Sequence, residues 1–258
     1  MDQLLRATAQ AEHRHFWFRG LRTFVTPLVG RALKDSPNPR VLDCGCGTGA
    51  NLEMLARFGR AYGVDLSAVG LNIARAAGRQ RLVRATVSAM PFRSDIFDLV
   101  TSFDVLYSLD GPSERSAIAE MFRLTRPGGY VLINVAALDV LRGDHSVLSH
   151  EVRRYSRRTL EQLVEGAGFS IIRLTYTNFT LFFPLAALRR VQRWRGLAEE
   201  ADAGRDISVP AAPINALLTG LLRLEGLWLR YVNNPVGTSL LCLAQKPVRP
   251  PDGEPGLR

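Results

Sequence analysis

Val41-Leu42-Asp43-Cys44-Gly45-Cys46-Gly47-Thr48-Gly49-Ala50-Asn51 (VLDCGCGTGAN) closes a short apolar run, sets three glycines at alternate positions and resumes at helical spacing towards Phe58. That order reads as strand, tight turn and helix. Glycines let backbone approach a ligand with no Cβ in the way, and the helix that follows points unpaired N–H groups at the same place. The next apolar run, Ala61-Tyr62-Gly63-Val64, ends in Asp65. A carboxylate ending that strand can accept two hydrogen bonds from a ribose diol. The stretch therefore predicts a nucleoside-containing cofactor, against the plainer alternative of a βα turn with no ligand.

The glycine spacing selects the cofactor. A dinucleotide turn needs G-x-G-x-x-G, whereas this one runs G-x-G-x-G and is preceded by Asp43. A carboxylate there repels a pyrophosphate and attracts a sulfonium or ammonium group. S-adenosylmethionine (SAM), leaving S-adenosylhomocysteine as product, is favoured over NAD.

The chain has 258 residues, 47% of them hydrophobic, enough for one large α/β domain or a domain with a cap. Its 33 Lys and Arg against 24 Asp and Glu give a net charge of +9 and a pI near 10.2. Such a charge suits nucleic acid, an anionic membrane or an acidic substrate, but the arginines are spread from Arg6 to Arg258, which favours a generally basic surface. Cys44 and Cys46 sit inside the glycine turn and Cys242 stands alone, so neither disulfide pairing nor metal spacing is present and no metal is expected. Reduced, cytoplasmic thiols are the simplest account. The N-terminus lacks the basic-then-apolar pattern of a signal peptide, and no apolar run is long enough to span a bilayer.

Met1 to Arg14 reads as a short amphipathic helix leading into His15-Phe16-Trp17-Phe18-Arg19. Three consecutive aromatics cannot all face one core from a helix. They form either a lid that walls the cofactor, with Trp17 and Arg19 touching the substrate, or an aromatic anchor. Leu21 to Leu33 is a second helix. From Arg40 strands and helices alternate: strand 40–44, helix 50–58, strand 62–65, helix 67–77, strand 82–85, strand 97–103, a helix capped by Ser113 and running to Leu124, and strand 130–135. The pattern predicts a mostly parallel sheet with its ligand site at the strand C-terminal ends, Asp43, Asp65, Phe103-Asp104 and Asn134.

These residues resemble the class I SAM-dependent methyltransferases, in particular the type 11 small-molecule group. The resemblance rests on VLDCGCGTG at 41–49, GVDLS at 63–67, SAMPFRSDIFDLV at 88–100, FDVLYSL at 103–109 and RLTRPGGYVLI at 123–133. It implies a Rossmann-like, seven-stranded, mostly parallel sheet with N-terminal helices and a helical insertion before the last strand. It also implies that Asp43, Gly45, Cys46, Gly47 and Gly49 cradle the methionine part of SAM, that Asp65 with Leu66 binds the ribose, that Ala89-Met90 touches adenine, and that Phe103-Asp104 lines the floor beside the sulfonium. Two departures stand out. Thr86 replaces the usual acid that accepts from the adenine amino group, and Asp104-Val-Leu-Tyr107-Ser108 replaces Asp-Val-Leu-Glu-His, so a histidine at that place is absent.

The chain also resembles a subgroup with an N-terminal HFWFRG, here 15–20, and a later segment reading His-Asp, a second His, then Arg-Arg-Tyr. Here His145 matches the first His, Ser146 replaces the Asp, His150 is displaced by one and Glu151 stands near the second position, before Arg153-Arg154-Tyr155. The segment follows the strand ending near Val135 and should open beside the cofactor. A histidine of near-neutral pKa, His145 first and His150 next, can take the proton of an acceptor hydroxyl, with Tyr107 and Tyr155 orienting it. Arg153 and Arg154 can clamp a carboxylate or phosphate. The alternative is that the arginines are surface charges before a helix capped at Ser156.

That helix runs to Ala167, and strands 169–176 and 238–245 form an antiparallel pair at the sheet edge. The chain divides into an N-terminal helical lid segment (1–35), a SAM-binding domain (36–176), an insertion or cap (177–237), and the last strand with a disordered tail (238–258). Phe179 to Leu188 and a leucine-rich helix from Ile214 to Tyr231, joined by the polar Glu199 to Asp206, make up the insertion. It can cap the site and form an apolar pocket, pair two subunits, lie on a membrane, or simply add core, in that order of preference. The expectation is a cytoplasmic methyltransferase, monomer or homodimer, acting on a small, apolar or lipid-like acceptor, with O-methylation favoured and no nucleic-acid partner. The rivals are an RNA or protein methyltransferase and a non-catalytic SAM-binding protein.

Overall fold

The computed structural model describes residues 2–142, 151–195 and 209–248. Strand β1 (Arg40–Cys44) pairs in parallel with β2 (Arg60–Asp65) on one side and β4 (Phe97–Phe103) on the other. Strand β3 (Leu82–Arg84) extends the sheet beyond β2, and β5 (Thr125–Ala136) beyond β4. Strand β7 (Ser239–Gln245) enters antiparallel between β5 and the edge strand β6 (Ser170–Thr177), giving the order β3-β2-β1-β4-β5-β7-β6. This is the expected seven-stranded, mostly parallel sheet.

Alternation along the central strands sends side chains to opposite faces, which explains why these runs are apolar throughout. Leu42, Val100, Val131 and Ile133 meet α5 (Gly111–Leu124) and α6 (Arg157–Gly166) on one face. Val41, Leu99 and Leu132 meet α2 (Phe16–Ala32) and α3 (Ala50–Leu55) on the other. Helix α4 (Ala68–Ala76) follows β2, and α1 (Asp2–Ala11) packs against α4. The sequence expectation of a lid over residues 1–35 therefore narrows to α1, because α2 is a layer of the core.

Several boundaries move for physical reasons. Helix α2 begins at Phe16, five residues before Leu21, because the buried His15 side chain accepts the Trp17 N–H at 3.2 Å and caps it. The three aromatics thus occupy its first turn, each half-exposed. Helix α5 is capped by Asp110, whose carboxylate accepts the Ser113 N–H at 2.8 Å, and Ser113 lies within the first turn. Ser156 caps α6 as expected, in a capping box with Thr159. Helix α3 ends at Leu55, short of Phe58, and β5 starts at Thr125, ahead of Pro127.

The insertion contributes α7 (Phe179–Arg195) and α8 (Ala212–Trp228). Helix α8 lies on α2 so closely that a Cβ on Gly20 would sit 2.4 Å from Leu222 Cδ1. Beside Leu222, its inward face carries polar residues. Asn215 accepts the Phe16 N–H and donates to the Arg14 carbonyl, both at 2.9 Å. The buried Glu225 carboxylate accepts the N–H groups of Phe179 and Thr180 at 2.9 and 3.1 Å, the Thr180 hydroxyl at 3.0 Å and the Asn234 amide at 3.0 Å. The plainer alternative of leucines as extra core holds for Leu222 alone among the leucines of this helix that are fully buried, while Asn215, Thr219 and Glu225 also face in. Glu225→Ala leaves those donors unmet, so urea denaturation should show a loss of about 3 kcal/mol, with no change if the carboxylate is dispensable.

Candidate active site

The four C-terminal ends of β1, β2, β4 and β5 meet at one edge of the sheet, as parallel pairing requires. After β1 the chain turns through Gly45, Gly47 and Gly49, all at positive φ, and the N–H groups of Gly45 and Cys46 donate to the Val64 carbonyl at 2.7 and 2.9 Å. A Cβ on Gly45 would fall 2.3 Å from Val105 Cγ2, so only glycine lets the turn close on the β4 exit.

Asp65 ties this turn to the next one. Its carboxylate accepts the Gly47 N–H at 2.7 Å and the Ser67 N–H at 2.8 Å. Each oxygen keeps a further lone pair for a ligand donor. Leu66 beside it is largely exposed. Asp43 is buried, and its carboxyl accepts the Thr101 hydroxyl at 2.7 Å. Burial pushes its pKa from 3.8 up to about 7, with the Asp65 charge adding to the rise and the Thr101 bond opposing it. A buried carboxyl raised in this way is stabilised as the anion by a cation placed beside it. The turn, the diol acceptor and the buried acid thus fit the methionine and ribose parts of SAM.

Asp104 adopts φ 60°, an uncommon conformation for a residue with a side chain, and swings out of β4 into a short 3-10 turn at Leu106–Ser108. Its carboxyl accepts the Asn134 amide at 2.9 Å, and its N–H donates to the Asn134 carbonyl. Burial raises its pKa to about 7, helped by the charge of Glu151, while Asn134 and Arg154 oppose the rise. Phe103 is buried with Leu99 and Val41.

The remaining cofactor-side residues are placed as follows. Ala89 is exposed, whereas the Met90 side chain is buried with its sulfur 3.6 Å from the Cys44 thiol. The Met90 backbone is engaged, its N–H by Glu120 and its carbonyl by Arg123. Cys46 is buried and its thiol pKa is pushed well up, by burial first and then by Asp43 and Asp65. Helix α1 lies over the glycine turn: Leu5 Cδ2 is 3.4 Å from where a Gly47 Cβ would be, and the buried Glu12 accepts the Thr48 hydroxyl at 2.5 Å. Burial raises the Glu12 pKa, and Thr48 opposes the rise. Neither Glu12 nor Thr48 stood out in sequence, since a lone acid ending an amphipathic helix gives no signal of its own.

On the acceptor side, His145 and His150 lie outside the described residues. The arginines that follow them are not free clamps. Arg153 Nη1 is 2.6 Å from Glu114, and Arg154 bonds Glu151 through Nε and Nη2 at 2.8 and 2.9 Å with both side chains buried. Tyr155 is a second correction: it is buried, its hydroxyl donates to Glu114, and burial holds its pKa well above the usual value. The phenol is thus committed to α5 and does not orient an acceptor. Tyr107 is buried in the same core, and its carbonyl accepts the N–H groups of Val152 and Arg153. Trp17 and Arg19 are half-exposed on α2. Among the described residues no cluster of three or more His, Cys, Asp or Glu side chains could hold a metal. A cleft of about 260 Å³ lined by Leu52, Arg60, Arg79 and Arg81 lies by the start of β2, away from these strand ends.

Residues 42–133 match the methyltransferase domain family Methyltransf_11. A methyltransferase of Encephalitozoon cuniculi is 42% identical over 96 residues, 37% of this chain and 44% of that one. A Bos taurus protein named as a tRNA methyltransferase is 31% identical over 144 residues, 52% and 31% of the two chains. Demethylmenaquinone methyltransferase of Mycobacterium bovis is 33% identical over 119 residues, 46% of each. The chain thus spans between 31% and 46% of the length of these relatives. Among solved structures, phosphoethanolamine N-methyltransferase 2 of Haemonchus contortus superposes with a TM-score of 0.58 at 20% identity, over 96% of this chain and 57% of that one. Residues 42–133, which carry the glycine turn and Asp65, therefore match a methyltransferase domain, and the sheet has the class I methyltransferase fold.

Proposed function

We propose that the chain transfers the methyl group of SAM to a small, apolar or lipid-like acceptor, O-methylation being the favoured chemistry. One observation carries the cofactor half of this reading: Asp65 is held by Gly47 and Ser67 with lone pairs left over, one turn away from the buried Asp43. The cofactor supplies a methyl group on positively charged sulfur, already activated for displacement. Asp65 binds the ribose diol, the 45–49 turn seats the methionine part, and Asp43 faces its positive charge.

Alignment then supplies most of the rate, and a base is needed only for a poorly ionised acceptor. His145 is one proposed base. Asp104 is the other, because it stands at the β4 exit with a pKa near 7 and strained backbone. The similarity to a demethylmenaquinone methyltransferase supports a lipid-like acceptor. The tRNA methyltransferase similarity and the net charge of +9 support RNA as the second reading. Against it, Phe103-Asp-Val-Leu-Tyr107 lacks the Pro-Pro-aromatic pattern of enzymes that methylate base nitrogens.

Calorimetric titration tests the cofactor. Asp65→Ala should weaken SAM by more than about 1 kcal/mol, the worth of a charged hydrogen bond; an unchanged affinity removes Asp65 from the site. The sign of the pH dependence follows from Asp43. Its folded pKa of about 7 exceeds the unfolded 3.8, so the folded protein binds the extra proton between these values. Stability is complete below pH 4 in this respect and falls, by up to about 4 kcal/mol, as pH rises through 7. A cation beside Asp43 reverses that cost, so SAM affinity should rise from pH 6 to 8 and Asp43→Asn should flatten the rise. Methyl transfer from labelled SAM into a lipid extract separates the remaining roles. Asp104→Asn should lower the rate by about 10²-fold or more if it is the base, whereas Tyr155→Phe should cost about 1 kcal/mol of stability and leave the rate nearly unchanged.

A further inference from the structure

We propose that the outward face of helices α7 and α8 docks on the surface of an anionic lipid bilayer. Leu217, Leu221, Leu224 and Trp228 recur at spacings of four, three and four, so they share one side of α8. That side is turned away from the core: Leu217 is 64% and Leu224 65% exposed, while Asn215, Thr219 and Glu225 are buried on the other. Tyr231, just past the helix end, is 88% exposed, and on α7 Phe183 and Trp194 are 65% and 85% exposed. Helix α8 thus keeps an apolar stripe on its free side while Leu222 and the polar residues pack inward, and Glu225 joins it to the first turn of α7.

The chemistry of this face selects a lipid surface over another protein. Exposed Trp and Tyr beside leucines form the mixture that settles at a headgroup boundary, where an apolar body meets a polar edge. The charges on the two helices are arginines, apart from the buried Glu225; Arg190 on α7 and Arg223 on α8 are exposed, whereas Arg189 is buried. Arg230 follows at the end of α8 and is exposed. The other acids of the insertion fall at 199–206, outside the described residues. Arginine-only helices complement anionic headgroups. A coiled-coil seam between two copies would need apolar knobs throughout, whereas Pro184 interrupts α7 and Trp228 and Tyr231 close the α8 stripe. No described helix is long and apolar enough to cross a membrane, which leaves attachment in the interface plane. The proposal stands whichever acceptor is methylated.

The test is co-sedimentation of the full chain with vesicles of phosphatidylcholine alone or mixed with phosphatidylglycerol. The mixed vesicles should bind at least about tenfold more strongly at 0.1 M salt and lose most of that excess at 1 M, where the Debye length shrinks to about 3 Å. Leu217→Glu with Leu224→Glu should reduce binding at least about tenfold while the urea midpoint and SAM affinity stay as in the wild type. Brominated phosphatidylcholine in the mixed vesicles should quench the wild-type tryptophan emission, an arm that needs no variant. Absence of vesicle binding overturns the proposal. If sedimentation velocity then shows a dimer that the double variant abolishes, the face belongs to a second copy.

Discussion

The carboxylate of Asp65, shared between the N–H groups of Gly47 and Ser67, is the contact on which the site depends. Parallel strands deliver their outgoing loops to one edge, but nothing in the sheet itself fixes how those loops lie against each other. Asp65 does so by tying the turn after β1 to the start of α4. The turn in turn rests on the Val64 carbonyl, so β1, β2 and both exits form one rigid unit. The residue that holds this unit together is also the one with spare acceptors facing outward. The structural role and the proposed binding role coincide there, so substitution at Asp65 has to be judged by ligand affinity and stability together.

Across the sheet the acceptor side is held by a different device. Segment 151–155 is clamped by two ion pairs, Arg153 to Glu114 and Arg154 to Glu151, and by the Tyr155 bond to Glu114. Its backbone also bridges β5 at Ala137. Removing one partner of such a buried pair costs about 3–5 kcal/mol because the other charge is stranded. The charges that the sequence offers for gripping a substrate are therefore neutralised within the protein. What remains near the β4 exit is Asp104, held by Asn134 and near neutrality in its titration.

The sheet was legible because strands buried on both faces leave continuous apolar runs, and the glycine turn and Asp65 because their spacing has a backbone reason. Caps were read less well. Ser113 looks like a cap by type, yet Asp110 three residues earlier starts the helix by accepting the Ser113 N–H on a charged oxygen, which leaves Ser113 inside the first turn. The engagement of Arg153 and Tyr155 was not legible because their partner Glu114 lies about forty positions away on another helix, and a pairing of that separation leaves no local pattern; Arg154 instead pairs with Glu151, three residues before it. The histidines of the same segment are outside the described residues, so the sequence expectation for them stands as it was.

The insertion shows the limit of reading leucines as core. Helical spacing establishes a stripe but not the direction it faces, and here the direction is set by hydrogen-bond demand. The start of α2 at Phe16 and the start of α7 at Phe179 and Thr180 both present N–H groups that no turn of their own satisfies. Asn215 and Glu225 meet that demand from one side of α8 and so fix its rotation. Once that side is committed inward, with Leu222 beside it, Leu217, Leu224 and Leu227 face out. Helix α7, anchored by the same Glu225, packs against the Asp139–Leu141 turn that follows β5. Glu225 thus sets the rotation of α8 and the start of α7 together, so the side of the insertion proposed to meet the bilayer is fixed by hydrogen bonds made on its opposite side.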